Sequence, residues 1–355
     1  MKQKWFSILF LFALFSATEP TPSFSQDGEM NITGRPPDTP IQIFGNAWRI
    51  FLDGPITSNT PNKFEAYVIQ NNIPANSLVY LNSPGGNLYA GMELGRLIRK
   101  FNFSVGVGKR TIGSNARSGI EKGGCFSSCT LAYLGGVFRY LDQDSRYGVH
   151  RFSFREPARG SVDIAQVTSS EIVSYISAMD VDPELFKLST LAGSSEIYEP
   201  NRATLEALNV INNGATRSVW TIESVDGLLY LRGERKTAIS GLNKFLVYCN
   251  KGNLILHTIF STLGRDKELL SLPSHSLTVD DKIFPLNPTT KVIENYLFNS
   301  LYRLGSREVS ALRAASTVGI AVRYNSEAPV FFGYSDMSFS AARDKFGGIM
   351  NGCRK

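Results

Sequence analysis

The chain has 355 residues, too many for one typical compact domain and about right for two, and 43% of them are hydrophobic, which argues against extensive disorder. Its formal charge of +6 comes from 37 basic and 31 acidic residues that are scattered rather than striped, so nucleic-acid binding is not indicated.

Lys2 and Lys4 precede an apolar run from Trp5 to Phe15, and small residues follow. The run is short for a membrane span. A basic start, a short apolar core and small residues form a secretory signal over residues 1–25. Ser23-Phe24-Ser25 places cleavage before Gln26. No later segment is long and apolar enough to cross a bilayer, so a periplasmic or secreted protein, off the membrane once the signal is removed, is expected. Export permits disulfides between the four cysteines, Cys125, Cys129, Cys249 and Cys353.

Residues 26–40, rich in Pro, Gly, Thr and Asp, form a flexible lead-in. Trp48–Leu52 is β-prone, and Phe64, Tyr67 and Val68 give helical spacing over residues 60–71. Ser77–Leu81 is a second strand. Leu88–Lys100 is a helix with Met92, Gly95 and Ile98 on one face, and Phe103–Val107 a third strand. This alternation implies βαβ crossovers and a largely parallel sheet. Residues 109–124 form a polar, glycine-rich loop. A short helix over Ser127–Gly135 and a strand over Arg146–Phe152 follow. A helix over Asp163–Met179 carries Ile164, Val167, Ile172 and Ile176 at helical spacing. Asp182 caps the next helix with Pro183 in its first turn, and Thr204–Leu208 adds one more turn. Composition changes near Gly214. Short β-like runs then alternate with turns, which predicts a second, smaller, mainly antiparallel β domain over residues 215–355, with helical pieces near residues 289–303 and 338–350.

The chain has three histidines. His257 lies in an apolar run, where a core or cross-strand role is the default. His275 lies in a serine- and proline-containing loop and is expected to be solvated. His150 follows Tyr147-Gly148-Val149, so a strand delivers it to a sheet edge. No cluster has metal-ligand spacing and no phosphate loop of the Walker type is present, so neither metal nor other cofactor is called for. Gly123-Gly124-Cys125-Phe126-Ser127-Ser128-Cys129 places a serine before a helix; by spacing alone that serine is an N-cap.

Asn82-Ser83-Pro84-Gly85-Gly86, followed by Leu88 and Ala90-Gly91-Met92, resembles the signature loop of the Clp protease proteolytic subunit, within the ClpP/crotonase superfamily. Arg49–Gly54 resembles that family's first core strand, Ser127-Ser128-Cys129-Thr130 its nucleophile segment, Ser145–Arg151 its strand ending in the catalytic histidine, and Leu205–Asn212 its closing helix and turn. The resemblance spans roughly residues 47–213. It implies an α/β, ββα-superhelix domain over residues 41–214. It also implies an exported, peptidase-like serine hydrolase with Ser127 as nucleophile, His150 as general base, an oxyanion hole from the backbone N–H groups of Gly85 and Ser128, and an extended peptide or protein substrate beside Gly86–Leu88. Ser128 is the second candidate nucleophile. Where the family has a histidine-orienting aspartate this chain offers Glu196, with Ser195 as the alternative. Rival readings are a catalytically inactive binding or scaffolding protein on the same fold, and an acyl hydrolase acting on non-peptides. Homo-oligomerisation is left open.

A Cys249–Cys353 bridge is favoured, because it ties the C-terminus to the β domain. Cys125 and Cys129 lie four apart, about 5–6 Å between Cβ atoms on a regular helix, wider than the roughly 3.5–4.5 Å of a disulfide. If Cys125 precedes the helix, a bridge between them remains open beside the alternative of two buried thiols.

Overall fold

The computed structural model describes residues 28–37, 47–111, 119–153 and 160–353. The residues expected to form a secretory signal fall outside them, as do the two ends of the 26–40 lead-in and the middle of the loop over residues 109–124; the described part of the lead-in is not flexible but carries a strand, Asn31–Arg35, paired with Arg49–Asp53.

The first part is α/β. Its elements are β1 (Asn31–Arg35), β2 (Arg49–Asp53), α1 (Thr60–Gln70), β3 (Leu78–Asn82), α2 (Leu88–Lys100), β4 (Ser104–Val107), β5 (Lys109–Arg110), β6 (Ile120–Glu121), β7 (Gly124–Phe126), α3 (Ser128–Leu134), β8 (Arg139–Tyr140), β9 (Arg146–Gly148), α4 (Ser161–Ala178), α5 (Glu184–Ser189) and α6 (Arg202–Ala207). The main sheet has the order β1-β2-β3-β4-β8. β2, β3, β4 and β8 run parallel and β1 closes one edge antiparallel. Parallel strands need crossovers, which α1 and α2 provide. A second layer consists of β7 and β9, also parallel, joined to the end of β3 by the Ser83–Cys125 bridge.

Each helix follows from its sequence. Asn87 starts α2 by accepting the Ala90 N–H through its side chain at 2.9 Å. Arg99 and Lys100 occupy its last turn, the dipole-favoured end for cations. The face expected from Met92, Gly95 and Ile98 is buried. In α4 the apolar stripe is only half used. Ile172 and Ile176 are buried, whereas Ile164 and Val167 are 49% and 58% exposed, so the first half of this helix stands clear of the core. Asp182 accepts the Glu184 N–H at 2.9 Å and opens α5. The strand expected over Arg146–Phe152 ends at Gly148, where Val149 turns to pair with Tyr198.

The second part is antiparallel throughout its ladders. It contains β10 (Val219–Val225), β11 (Leu228–Thr237), β12 (Gly241–Asn250), β13 (Asn253–Ser261), α7 (Asp266–Ser271), β14 (Ser274–Val279), β15 (Lys282–Leu286), β16 (Pro288–Glu294), β17 (Leu297–Arg303), α8 (Ser306–Ala314), β18 (Thr317–Arg323), β19 (Phe332–Ser338) and α9 (Arg343–Cys353). Six strands form one sheet, β10-β11-β12-β13-β17-β16, and four form another, β15-β14-β18-β19. Alternate burial along β13 and β17 is the period-2 pattern of strands with one face in a core.

Two expectations are corrected. Residues 289–303 are not helical: they are the β16–β17 hairpin, turned by Asn295 and Tyr296 at φ 50° and 61°. Paired positive φ values match the twist of a tight hairpin, and Asn adopts them readily. His275 is not solvated. It is 3% exposed, with Nδ1 2.6 Å from the Tyr302 hydroxyl, because β14 faces the core. His257 is a cross-strand histidine, paired with Asn299 at 3.1 Å.

One hydrophobic cluster draws on residues between Met30 and Ile211, another on residues between Trp220 and Met350. Both cysteine pairs are disulfides, Cys125–Cys129 and Cys249–Cys353. Among the described residues no helix is long and apolar enough to cross a membrane.

Candidate functional site

The site begins with Asn82 at the end of β3. Its amide donates to Asp53 Oδ1 at 3.0 Å, and its carbonyl oxygen accepts the Gly124 N–H at 3.0 Å. One side chain thus ties the ends of β2, β3 and β7. Ser83 continues the pairing through its backbone, donating to Gly124 and accepting from Phe126. The chain then turns through Gly85 (φ 95°) and Gly86 (φ 143°), values that side-chain-bearing residues rarely adopt. Space is equally restrictive. A Cβ on Gly85 would lie 2.6 Å from the Ser127 Cβ and 3.0 Å from the Ser128 nitrogen, and one on Gly86 would lie 2.2 Å from the Ile56 carbonyl oxygen. The glycines let this loop press directly against the start of α3.

Ser127 stands between β7 and α3 with φ 56° and ψ −129°. For a non-glycine residue this backbone costs about 1–3 kcal/mol and must be held by its surroundings. Three restraints hold it. The Ser127 N–H donates to the Gly148 carbonyl at 3.1 Å. The Ser127 carbonyl accepts from both the N–H and the hydroxyl of Thr130. The Cys125–Cys129 disulfide closes around it. The bridge forms because Cys125 lies in β7, ahead of the helix. A serine on a sharp strand-to-helix turn projects its hydroxyl away from the backbone. Ser128 differs: it is 2% exposed and its hydroxyl is buried without a hydrogen-bond partner.

His150 follows β9, the parallel neighbour of β7, so both candidate residues leave adjacent strand ends on the same side. The reciprocal backbone bonds of Val149 and Tyr198, both 2.8 Å, pin the chain just before it. His150 Nδ1 lies 2.8 Å from the Arg151 carbonyl oxygen. A carbonyl only accepts, so Nδ1 carries the proton, and in a neutral ring Nε2 is left with a free lone pair.

Ser127, Ser128 and His150 line one cavity of about 60 Å³. Its other walls are mostly apolar and include Leu131, Phe152, Ile172, Ile176 and Phe186. Sequence reasoning did not mark Phe152 or Phe186 for the site; both belong to stretches that only the chain's path brings alongside α3. Glu196 is not among the cavity's lining residues. It is exposed, and its carboxylate accepts the Gly193 N–H at 3.4 Å. Ser195 is exposed on the same turn. The Gly85 N–H donates to the Ser83 hydroxyl at 3.1 Å. Among the described residues, no group of His, Cys, Asp and Glu is arranged to hold a metal ion.

No protein-family model matches the chain, and no curated protein is similar enough to count as a relative.

Proposed function

We propose that this protein is an exported, peptidase-like serine hydrolase on a ClpP/crotonase-type α/β domain, with Ser127 as nucleophile and His150 as general base. The observation that carries the reading is that a strained serine and a histidine leave neighbouring parallel strands into one apolar cavity, with a glycine turn pressed against the serine. In the proposed reaction, the Ser127 hydroxyl attacks a carbonyl carbon while His150 Nε2 takes its proton and later delivers it to the leaving group. The Arg151 carbonyl holds the imidazole in the tautomer this requires, the role the family gives to an aspartate. The N–H groups of Gly85 and Ser128 receive the developing oxyanion, that of Gly85 by turning away from Ser83.

An extended peptide is the fitting substrate. The Gly85 carbonyl and the Asn87 N–H are already paired with Ile56 at 2.8 Å each, as in a strand. Alternation then directs the Gly86 N–H and carbonyl to the opposite side, where a substrate strand can add. Two disulfides fit an oxidising compartment, in keeping with periplasmic or secreted placement.

A fluorophosphonate probe tests the assignment. The purified mature chain is expected to label at neutral pH, the Ser127→Ala variant not at all, and His150→Ala at least about a hundredfold more slowly. A panel of peptides and esters then separates a peptidase from another acyl hydrolase. The second reading, a binding protein without turnover, is favoured by the carbonyl rather than carboxylate partner of His150. A folded wild-type chain that does not label decides for it.

A further inference from the structure

A second cleft, of about 550 Å³, opens where the two hydrophobic units meet, at the opposite end of α3 from Ser127. Five cations line it, Arg99, Arg217, Arg232, Arg235 and Lys236, against one acid, Glu234. The acid is already committed, since Glu234 pairs with Arg232 and with Lys244. Arg232 is further matched by Glu223 at 2.9 Å. Among the described residues, the other four cations form no salt bridge with a carboxylate.

Two of the four are held by backbone oxygens alone. Arg99 donates from Nε to Gly135 at 2.8 Å and from Nη2 to Leu134 and Gly136 at 3.1 and 3.0 Å. Arg235 donates to the carbonyls of Asp336 and Ser335, and its Nε is buried without any partner. Carbonyl dipoles orient a guanidinium without neutralising it, and the nearest carboxylates, Asp180 for Arg99 and Asp336 for Arg235, act on it only at a distance. Partial burial disfavours the charged form of both and lowers their pKa values below the ordinary arginine value. Arg217 and Lys236 line the cleft, are exposed, and form no ion pair among the described residues. An excess of positive charge in a concave site focuses potential toward an anion, and guanidinium forks match oxyanion geometry.

We propose that this cleft binds a small, multiply charged oxyanion, a phosphate- or carboxylate-rich molecule. Its size is that of a small-molecule pocket. No aromatic ring lines it, so the recognised part of the ligand is its charge rather than a stacked base. The site is independent of Ser127 and stands whether or not the chain hydrolyses anything.

Titration calorimetry of the mature chain with inorganic pyrophosphate, and separately with citrate, at low and high salt tests this. Saturable one-to-one binding of either anion is expected at low salt, and the one that binds identifies phosphate or carboxylate as the recognised group. The double variant Arg217→Gln/Lys236→Gln removes only exposed side chains, so its melting temperature should match wild type. It is expected to bind at least about tenfold more weakly, the loss of charge-assisted hydrogen bonds. A control double variant at exposed cations elsewhere, Lys282→Gln/Arg307→Gln, should bind as wild type does. Absence of saturable binding at low salt, equal affinity in the first variant, or equal weakening in the control would each overturn the proposal. So would binding of an acidic peptide but of neither small anion.

Discussion

At the scale of single residues, backbone geometry constrains the candidate site most. Gly85 combines a φ of 95° with a hypothetical Cβ 2.6 Å from Ser127. Gly85→Ala is therefore expected to push the serine turn away, lowering stability by about 1–3 kcal/mol and the probe-labelling rate at least about tenfold. Thermal melts and labelling kinetics of the same preparation read both. His275 makes a different point. Burial holds its imidazole down at a pKa of about 4, against an ordinary value of 6.5. The unfolded chain therefore binds a proton below about pH 6.5 that the folded chain refuses until near pH 4. Stability from this group is complete above pH 6.5 and falls as pH drops across that window, by roughly 3 kcal/mol in all. His275→Asn is expected to flatten that part of the pH–stability curve, as measured by urea unfolding between pH 4 and 7.

At the scale of elements, α3 is positioned from both sides. Gly91 and Gly95 of α2 let α3 and α4 approach: a Cβ on Gly91 would fall 2.5 Å from the Ser128 carbonyl oxygen, and one on Gly95 3.0 Å from the Leu131 carbonyl oxygen of α3 and only 1.9 Å from the Tyr175 hydroxyl of α4. That hydroxyl donates to the Leu131 carbonyl at 2.7 Å, tying α4 to α3. The C-terminal end of α3 meets Arg139, 1% exposed, which donates to the carbonyls of Gly136, Asn209 and Val210 at 2.7–2.9 Å. Burial draws its pKa down to about 10, so the guanidinium remains charged near neutrality with carbonyl dipoles as its counterparts. Arg139→Met leaves those oxygens buried and unpaired and is expected to cost about 3 kcal/mol or more. Chemical denaturation measures it. Sequence patterning anticipated α2 and α3 as helices. It gave no hint of Arg139, because one isolated arginine before a tyrosine looks like any surface cation until the chain closes around it.

At the scale of the whole molecule, the two disulfides have different work. Cys249–Cys353 spans 104 positions and joins β12 to the end of α9. On chain-entropy grounds such a loop contributes about 4–5 kcal/mol, against about 2 kcal/mol for the four-position Cys125–Cys129 bridge. Cys249→Ser/Cys353→Ser is therefore expected to lower the melting temperature markedly while the probe still labels Ser127 at temperatures where the protein stays folded. Cys125→Ser/Cys129→Ser is expected to do the reverse, with modest destabilisation and a large loss of labelling, because that bridge braces the serine turn. Comparing melts and labelling across the two pairs separates the roles.

Much of the α/β arrangement was legible in order and spacing: β2, α1, β3, α2 and β4 lie within a few residues of where hydrophobic periodicity puts them. The glycine pair, Ser127 and His150 are singled out by the resemblance to the Clp protease proteolytic subunit; spacing alone reads Ser127 as an N-cap and the glycine pair as an ordinary turn. The second part was harder. The β16–β17 hairpin looked partly helical because its turn, Asn295-Tyr296, lacks glycine. The exposure of His275 depended on which face of β14 meets the core, a matter settled by strands remote in sequence. Local chemistry dictates where the chain bends and which faces are apolar. Which carbonyl meets His150, which arginines crowd the second cleft, and whether Cys125 reaches Cys129 depend on contacts between distant segments, and those energies exist only once the layers have packed.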